Sequence, residues 1–238
     1  MNKTKGLFFT ASLVLALTLT QSCSGDDGGG GGGDPSSSSG GETQGGGDNF
    51  GLSKQVYLVG RSGNDYVKTG NSTDNSEIAL RLRDGSTGKY DTLPAGNIQN
   101  GQLSLNLPEN IDSKYYTRPC FGIEGECPYS IVPQDLNIIP IVSSFIVRSK
   151  SSCRFGLGVT KSGVVDRDYG GGFFYSSAPG TITGTEIRQG SDEEYGFSYD
   201  FNLSQGWNLV FAHDAGVTEY YSTSPLTETP LEWFLICN

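Results

Sequence analysis

The sequence has one histidine and one methionine, and its 16 lysines and arginines are outnumbered by 26 aspartates and glutamates. With a single histidine and no CxxC pair, the chain lacks the usual ligand patterns of zinc. The formal net charge is −10 and no basic patch interrupts it, which disfavours binding to nucleic acid or to anionic lipid. These absences exclude nucleic-acid-binding proteins and histidine-based metalloenzymes, and no cofactor is expected.

The chain also lacks an apolar run long enough to cross a bilayer, which takes about 20 residues. Its longest apolar stretch, Leu7 to Leu19, follows Lys3 and Lys5 and leads to Ser22-Cys23. A basic start, a short apolar stretch and a small residue before a cleavage point are typical of a secretory signal peptide. Residues 1–22 are therefore predicted to be removed during export.

The junction Ser22-Cys23 resembles a bacterial lipoprotein signal, in which the cysteine becomes the N-terminus and carries a diacylglycerol thioether. This resemblance implies two or three acyl chains, such as palmitate, on Cys23, and stable anchoring needs more than one chain. Asp26 and Asp27 resemble the acidic export signals of surface-displayed lipoproteins. The expected location is the cell envelope, at the outer membrane and exposed on the surface. The alternative is a soluble secreted protein with a spare cysteine.

Residues 23–54 follow the anchor and have almost no apolar side chains before Phe50. They include the glycine run Gly28–Gly33 and the serine run Ser36–Ser39. Such a segment cannot bury enough surface to offset the entropy of ordering. We therefore predict a disordered linker with a root-mean-square span of roughly 30 Å. A phosphate-binding loop is the competing interpretation of the glycines, but no Gly-Lys-Ser/Thr follows them.

Residues 55–238 form the predicted folded domain. Apolar and polar residues alternate in Glu77–Arg83, Gln102–Leu107 and Phe197–Leu203, which is typical of half-buried antiparallel strands. Further strands are predicted at Val56–Val59, Ile138–Val147, Phe173–Tyr175, Thr181–Glu186, Trp207–Ala212 and Leu231–Ile236. No stretch repeats its apolar residues with a helical period. The predicted fold class is all-β, an antiparallel β-sandwich of about 9–11 strands.

Four cysteines remain beside Cys23, and an even number in an oxidising compartment predicts two disulfides. They are Cys120, Cys127, Cys153 and Cys237. The sequence allows three pairings. The short glycine-containing loop between Cys120 and Cys127 favours that pair, which leaves Cys153 with Cys237.

Four segments resemble a group of proteins: Gly101–Pro108, Ala178–Thr185, Tyr199–Val210 and Pro230–Phe234. They are similar to uncharacterised bacterial surface lipoproteins with a β-sandwich-like domain and a Gly-Trp-Asn C-terminal strand motif. The resemblance implies the fold and the envelope location. It implies no catalytic residue, because the group has no assigned activity, and it does not include the cysteines.

Two residue sets were considered as catalytic centres. His213 is followed by Asp214, but no Gly-x-Ser-x-Gly elbow supplies a nucleophile, and neighbours in a strand point to opposite faces. We therefore interpret His213 as a turn or surface residue after a strand that ends at Ala212. Asp192, Glu193 and Glu194 could form the acid pair of a glycoside hydrolase. Their setting between Ser191 and Tyr195 is more typical of a solvated turn.

A weak candidate metal site is Asp166 with Asp168, because alternating carboxylates before Gly170 resemble the start of a calcium-binding loop. The remaining ligands of that loop pattern are missing, since Gly171 and Gly172 stand in their place. We therefore interpret this segment as a glycine-rich hairpin turn between strands.

Adjacent aromatic residues suggest a binding surface instead. If such pairs lie in strands, one ring faces the core and the other faces solvent, where it can stack on a ligand. The candidates are Tyr115, Tyr116, Tyr220 and Tyr221. The expected function is a non-enzymatic, membrane-anchored module that binds or displays, with a glycan or another envelope protein as partner. A carbohydrate-binding module is the first alternative, and an acid-pair glycoside hydrolase is the second.

Overall fold

The computed structural model describes residue 50 and residues 52–72, 75–120, 127–141, 145–148, 153–189 and 194–237. Strands dominate them, and a short 3-10 helix lies at Ser113–Tyr115. The strands are β1 Val56–Ser62, β2 Asp65–Asn71, β3 Ser76–Arg83, β4 Tyr90–Gln99, β5 Gln102–Leu105, β6 Ser130–Val132, β7 Ile138–Ile141, β8 Phe145–Val147, β9 Cys153–Lys161, β10 Val164–Ser176, β11 Gly180–Gln189, β12 Glu194–Leu203, β13 Gly206–Asp214, β14 Thr218–Ser222 and β15 Glu232–Cys237. The predicted all-β class is confirmed.

The strands form two layers that face each other as a β-sandwich. All fifteen strands belong to one hydrogen-bonded sheet in the order β5-β4-β3-β8-β9-β15-β1-β2-β10-β13-β14-β12-β11-β6, with β7 on the other side of β10. The strands from β5 to β2 form the first layer, and the strands from β10 to β6 form the second. Most pairs are antiparallel, but β1 pairs with β15 and β12 pairs with β14 in parallel. The described residues contain fifteen strands rather than 9–11, because short strands and strands of low apolar content add to those that alternate clearly.

Strand β10 joins the two layers. Its first residues pair with β9 and β2, whereas Tyr169–Ser176 pair with β13. The predicted hairpin turn around Gly170 is therefore wrong, because this segment lies within one long strand. A Cβ atom on Gly171 would stand 2.6 Å from Cδ1 of Leu231. The glycine thus serves close packing against a neighbour, and it does not mark a reversal of the chain.

The first core fills the space between the layers. At its centre, the Trp233 ring stacks on Phe155 with centroids 4.9 Å apart and planes 5° apart, and Phe145 meets it edge-on. Trp233 is 2% exposed. Leucine, isoleucine and valine side chains from β1, β3, β5, β8, β9 and β15 surround these rings. Burial of each such side chain contributes roughly 1.5–3 kcal/mol.

The second core lies on the opposite face of the second layer, which curls around it. Phe173 and Tyr175 of β10 point into the first core, and Phe174 between them points into the second. The buried members of the second core are Tyr129, Ile131, Leu136, Ile138, Phe174, Ile182, Tyr199, Phe201, Leu203, Val210 and Tyr221. Strands β10 and β13 are therefore a wall shared by two cores.

A third, smaller cluster lies on the outer side of β1 and β15. It consists of Val59, Tyr66, Val165 and Phe234. Beside it, the Lys68 ammonium bonds the Glu232 carboxylate at 2.9 Å, and Thr160 donates to the same carboxylate at 2.6 Å. Because this cluster covers the second face of β15, the C-terminal strand is buried on both sides.

The packed body begins upstream of residue 55. Phe50 contacts Phe173 with ring centroids 4.8 Å apart, and Leu52 also packs against the first core. Both residues lie within the segment 23–54 that was predicted to be linker. In the described part of the chain, no helix combines the length and the apolar character needed to cross a membrane.

Candidate functional site

Three aromatic side chains from neighbouring strands form a row on the second layer. In the strand register, Tyr169 of β10 faces His213 of β13, and His213 faces Tyr220 of β14. The Tyr169 and His213 rings stack 4.2 Å apart with planes 3° apart, and His213 lies 6.0 Å from Tyr220 with planes 26° apart. We call these three residues the aromatic row.

The row lies where the covered part of the sheet ends. Tyr169 shares its strand face with Phe173 and packs partly against the first core. Tyr220, at the other end of the row, is 41% exposed. The row therefore passes from the margin of the first core to solvent, and Tyr220 is its exposed end.

At the other end of the row, a lysine ammonium lies near the Tyr169 ring and is paired with a carboxylate. The Lys161 ammonium stands 5.0 Å from the centroid of the Tyr169 ring and 2.6 Å from the Asp166 carboxylate. The hydrogen bond that Lys161 donates to Asp166 raises the pKa of Lys161. The lysine therefore stays charged and held, and this end offers no free cation.

The same contacts bear on the candidate metal site at Asp166 and Asp168. One Asp166 oxygen is held by Lys161, and the other accepts the Asp168 backbone N–H at 3.0 Å. No group of three histidine, cysteine or acidic side chains close enough to hold a metal ion occurs among the described residues. Asp166 is therefore engaged by an ion pair with Lys161, and Asp168 contacts it through its backbone N–H.

The sheet beyond Tyr220 is solvent-facing and polar. Ser198 of β12 lies opposite Tyr220, and Thr185 of β11 lies opposite Ser198. The next row along the same strands pairs Asp200 with Thr183. We call Thr183, Thr185, Ser198 and Asp200 the polar shelf. Together with Tyr220 they place hydroxyl and carboxylate oxygens beside one exposed aromatic ring.

His213 and Asp214 do not act as a pair. Strand β13 continues through Asp214, so His213 belongs to a strand and not to the predicted turn. The Asp214 carboxylate accepts the backbone N–H of Gly216 at 2.8 Å, and the His213 ring is held between two tyrosine rings. The histidine therefore serves as an aromatic contact in this geometry.

The structure separates the four tyrosines predicted for ligand binding. Tyr115 is buried against the first core and donates its hydroxyl to Asp91 at 2.6 Å, while Tyr116 stacks on Tyr175 at 6.1 Å. Tyr221 is buried in the second core. Tyr220 is the one of the four that presents an exposed ring.

A buried polar cluster in the second core was not predicted. Glu186 and Arg188 of β11 form a two-point ion pair, with Arg188 Nε 2.6 Å and Nη2 3.0 Å from the carboxylate oxygens. The Tyr221 hydroxyl donates to Glu219 close by. Burial, with the nearby Glu186 charge, raises the pKa of Tyr199 above its usual range. The signal was present in the sequence, since Ile182, Glu186 and Arg188 alternate on one face of β11.

A shallow groove of 460 Å³ lies elsewhere on the first layer. Glu77 and Arg148 line it and pair with each other at 3.4 Å, both well exposed. Exposed ion pairs of this kind contribute little to the free energy of unfolding, and each of the two charges already has the other as its partner. The two charged residues of the groove are therefore paired with each other, and it has no exposed aromatic ring among its lining residues, so the aromatic row with the polar shelf is the better candidate.

Two of the cysteines pack partly against the cores, Cys153 against the first and Cys127 against the second. Cys120 and Cys127 form the predicted disulfide, with Cα atoms 5.1 Å apart. Cys153 of β9 faces Cys237 of β15 in the antiparallel register, as their predicted pairing requires. Cys23, Asp192 and Glu193 lie outside the described residues, and Glu194 is exposed at the start of β12.

No protein-family model, curated protein or solved structure matches this chain.

Proposed function

We propose that the protein is a non-enzymatic, membrane-anchored surface lipoprotein that binds its partner through the aromatic row and the polar shelf. The observation that carries this proposal is the exposed ring of Tyr220, which stands next to a solvent-facing row of hydroxyl and carboxylate groups. Exposed rings beside converging polar groups are typical of binding surfaces, because a ring contributes a large contact area at low entropic cost.

The anchor is the second part of the proposal. Lipidation of Cys23 after removal of residues 1–22 would leave the linker between the membrane and the packed residues from Phe50 onward. Mass spectrometry of the mature N-terminus tests this, with a diacylglycerol-modified and acylated Cys23 expected. Cys23→Ala should move the protein from the envelope fraction to the soluble exported fraction. An unmodified Cys23, or unchanged sedimentation of the variant, would refute the anchor.

A footprinting experiment tests binding at the row. The mature protein is labelled with hydroxyl radicals twice, once purified and once on intact cells that display it. Tyr220 should be labelled in the purified protein and protected on the cells. Tyr90, which is exposed on the first layer, is the matched control and should be labelled equally in both. Equal labelling of Tyr220 in the two settings would contradict a binding role for this face.

The pairing of Cys153 with Cys237 is also part of this proposal. An extracellular module needs its last strand fixed, and the two residues stand opposite each other at the end of the β9–β15 ladder. Peptide mapping of the unreduced protein should recover the two cysteine peptides joined. Recovery of either one as a free thiol peptide would contradict the pairing.

A further inference from the structure

The Tyr220 ring lies at the edge of the polar shelf, next to Ser198. One face of its ring is covered by His213. The neighbour on the other side in the strand register is Ser198, which is too small to cover a ring. Within the described part of the chain, His213 is the ring partner of Tyr220. The second face of the Tyr220 ring is therefore open toward β12 and β11.

The open space has the width of one saturated six-membered ring. Neighbouring strands lie about 4.8 Å apart, so Thr185 stands roughly 10 Å from Tyr220 across β12. A ring stacked about 4 Å from Tyr220 would lie directly above β12. The outward residues of β12 at that point are Gly196 and Ser198, which form a low floor. A flat ligand can therefore contact the tyrosine without meeting a bulky side chain.

The shelf supplies hydrogen-bonding groups around that space. Ser198 and Thr185 lie in the Tyr220 row, and Asp200 and Thr183 lie one row along. Hydroxyl groups both donate and accept, while a carboxylate accepts only. The Asp200 side chain forms no ion pair within the described residues, so both of its oxygens are available. This set is complementary to a ligand that carries several hydroxyl groups.

The negative charge of Asp200 determines whether the polar shelf favours neutral or anionic ligands of this kind. Between Thr181 and Ile187 of β11 and between Gly196 and Asn202 of β12, the outward residues are Thr181, Thr183, Thr185, Ile187, Gly196, Ser198, Asp200 and Asn202, and none of them is basic. Arg188 points to the opposite face, where it pairs with Glu186. An anionic ligand would meet the Asp200 carboxylate with no cation to offset it, which is unfavourable.

We infer that the polar shelf binds a neutral hexopyranose glycan, whose apolar ring face stacks on the open side of Tyr220 while its hydroxyls bond Asp200, Ser198 and Thr185. The inference rests on the proposed function and names its ligand class. A pyranose combines an apolar C–H face, which can stack on Tyr220, with hydroxyls at the ring edge, which can bond the side chains of the polar shelf. Since one stacked ring and a few exposed hydrogen bonds hold the ligand, dissociation constants in the millimolar range are expected.

The test uses the mature protein on an array of neutral and acidic oligosaccharides, followed by NMR titration of the retained ones. Neutral hexopyranose oligosaccharides should be retained and should shift the amide signals of β11, β12 and β14. Tyr220→Ala should weaken binding about tenfold or more, whereas Tyr220→Phe, which keeps the ring, should bind within about twofold of wild type. Tyr90→Ala is the control for loss of an exposed ring and should bind normally.

A second variant, Thr185→Arg, fills the space opposite Tyr220 and should also abolish binding. Circular dichroism of each variant establishes that it is folded. Retention of no neutral glycan at millimolar concentration, tighter binding of acidic glycans, or binding that Tyr220→Ala leaves unchanged would each overturn the inference. If Tyr220 is protected on cells but no glycan binds, the binding face stands and its partner is a protein. If neither occurs, both proposals fail.

Discussion

The two cores of the molecule are built from different side chains, although they share the wall formed by β10 and β13. The first core consists mainly of aliphatic side chains packed around Trp233, Phe155 and Phe145, and its buried tyrosines, Tyr115 and Tyr175, each donate a hydrogen bond. The second core contains Tyr129, Tyr199 and Tyr221, and beside them lies the carboxylate of Glu186, which is 5% exposed and paired with Arg188. Both cores therefore hold tyrosine side chains, but the second depends in addition on a charged pair inside the protein.

The difference has a structural source in the two layers. The first core is closed by strands from both layers, so apolar side chains meet from two sides. The second core lies on the opposite face of the second layer, where its tyrosine rings pack near the Glu186–Arg188 ion pair. Tyrosine suits such a position because its ring is apolar and its hydroxyl finds a partner. Each of the following predictions tests this contrast.

The largest effect is expected from Trp233→Ala in the first core. Removing the indole leaves a cavity between Phe155 and Phe173, and truncation of a buried aromatic residue costs about 3–5 kcal/mol of unfolding free energy. Urea denaturation measures it. Phe201→Ala in the second core is the matched variant. A loss below about 2 kcal/mol for Trp233→Ala would show that the first core does not depend on this ring.

The Cys120–Cys127 disulfide and the proposed Cys153–Cys237 disulfide should differ in the same order. Cys127 packs against the second core and closes a loop with a sequence separation of 7, whereas Cys153 packs against the first core and faces Cys237 far along the chain. Because closing a longer loop restricts the unfolded chain more, Cys153→Ala should cost about 3–4 kcal/mol and Cys127→Ala about 2 kcal/mol. Urea denaturation without reductant checks this, and equal losses would contradict it.

The ion pair of the second core is tested by Arg188→Met. The change leaves Glu186 buried without its cation, and the expected loss is about 3 kcal/mol. The double variant Glu186→Leu with Arg188→Met should recover most of that loss, because no unpaired charge remains. A double variant as unstable as the single one would contradict this, because the loss would then come from altered packing and not from the unpaired charge.

Two of the buried tyrosines of the second core, Tyr199 and Tyr221, should make the fold sensitive to alkali. Burial, with the charge of Glu186 for Tyr199 and of Glu219 for Tyr221, raises the pKa of both phenols above their usual range. The fold favours the neutral phenols, so this contribution is complete below about pH 10 and is lost as the pH rises further. Tyr199→Phe with Tyr221→Phe should flatten the fall in the urea midpoint above pH 10. An unchanged slope would contradict the assignment.

The smallest effect concerns an exposed turn that follows β3, outside both cores. The Asp84 carboxylate accepts hydrogen bonds from the side chain and backbone of Ser86 and from the backbone of Thr87. The Ser86 hydroxyl and then the Thr87 N–H lower the pKa of Asp84 to about 2. Its contribution is present above about pH 4 and is lost as the pH falls through 2. NMR titration should give that midpoint, and Ser86→Ala should move it toward the usual value for aspartate.

The strands that alternate clearly could be predicted from the sequence. Ser76–Arg83 and Glu194–Leu203 contain predicted strands, because one face of each meets a core and the other is polar. Tyr220 and Tyr221 likewise fall on opposite faces of β14. The Cys120–Cys127 disulfide followed from spacing alone.

Other strands gave no such signal, for physical reasons. Strand β4 contains Pro94 and Gly96 opposite an irregularity in β3, so its alternation is broken. Phe173 and Phe174 are both buried because the wall between the cores has no exposed face. The aromatic row was predictable only in part, since Tyr220 could be identified but its contact with Tyr169 and His213 depends on the register of three strands.

The position of β1 also determines how the molecule carries a mechanical load. Phe50 already packs on Phe173, and the first described strand lies between β15 in parallel and β2 in antiparallel. A pull applied upstream of Val56 therefore acts along two hydrogen-bonded ladders at once and shears them, which requires many bonds to break together. A body loaded in this way resists extraction better than one whose first strand could be peeled from the edge of a sheet.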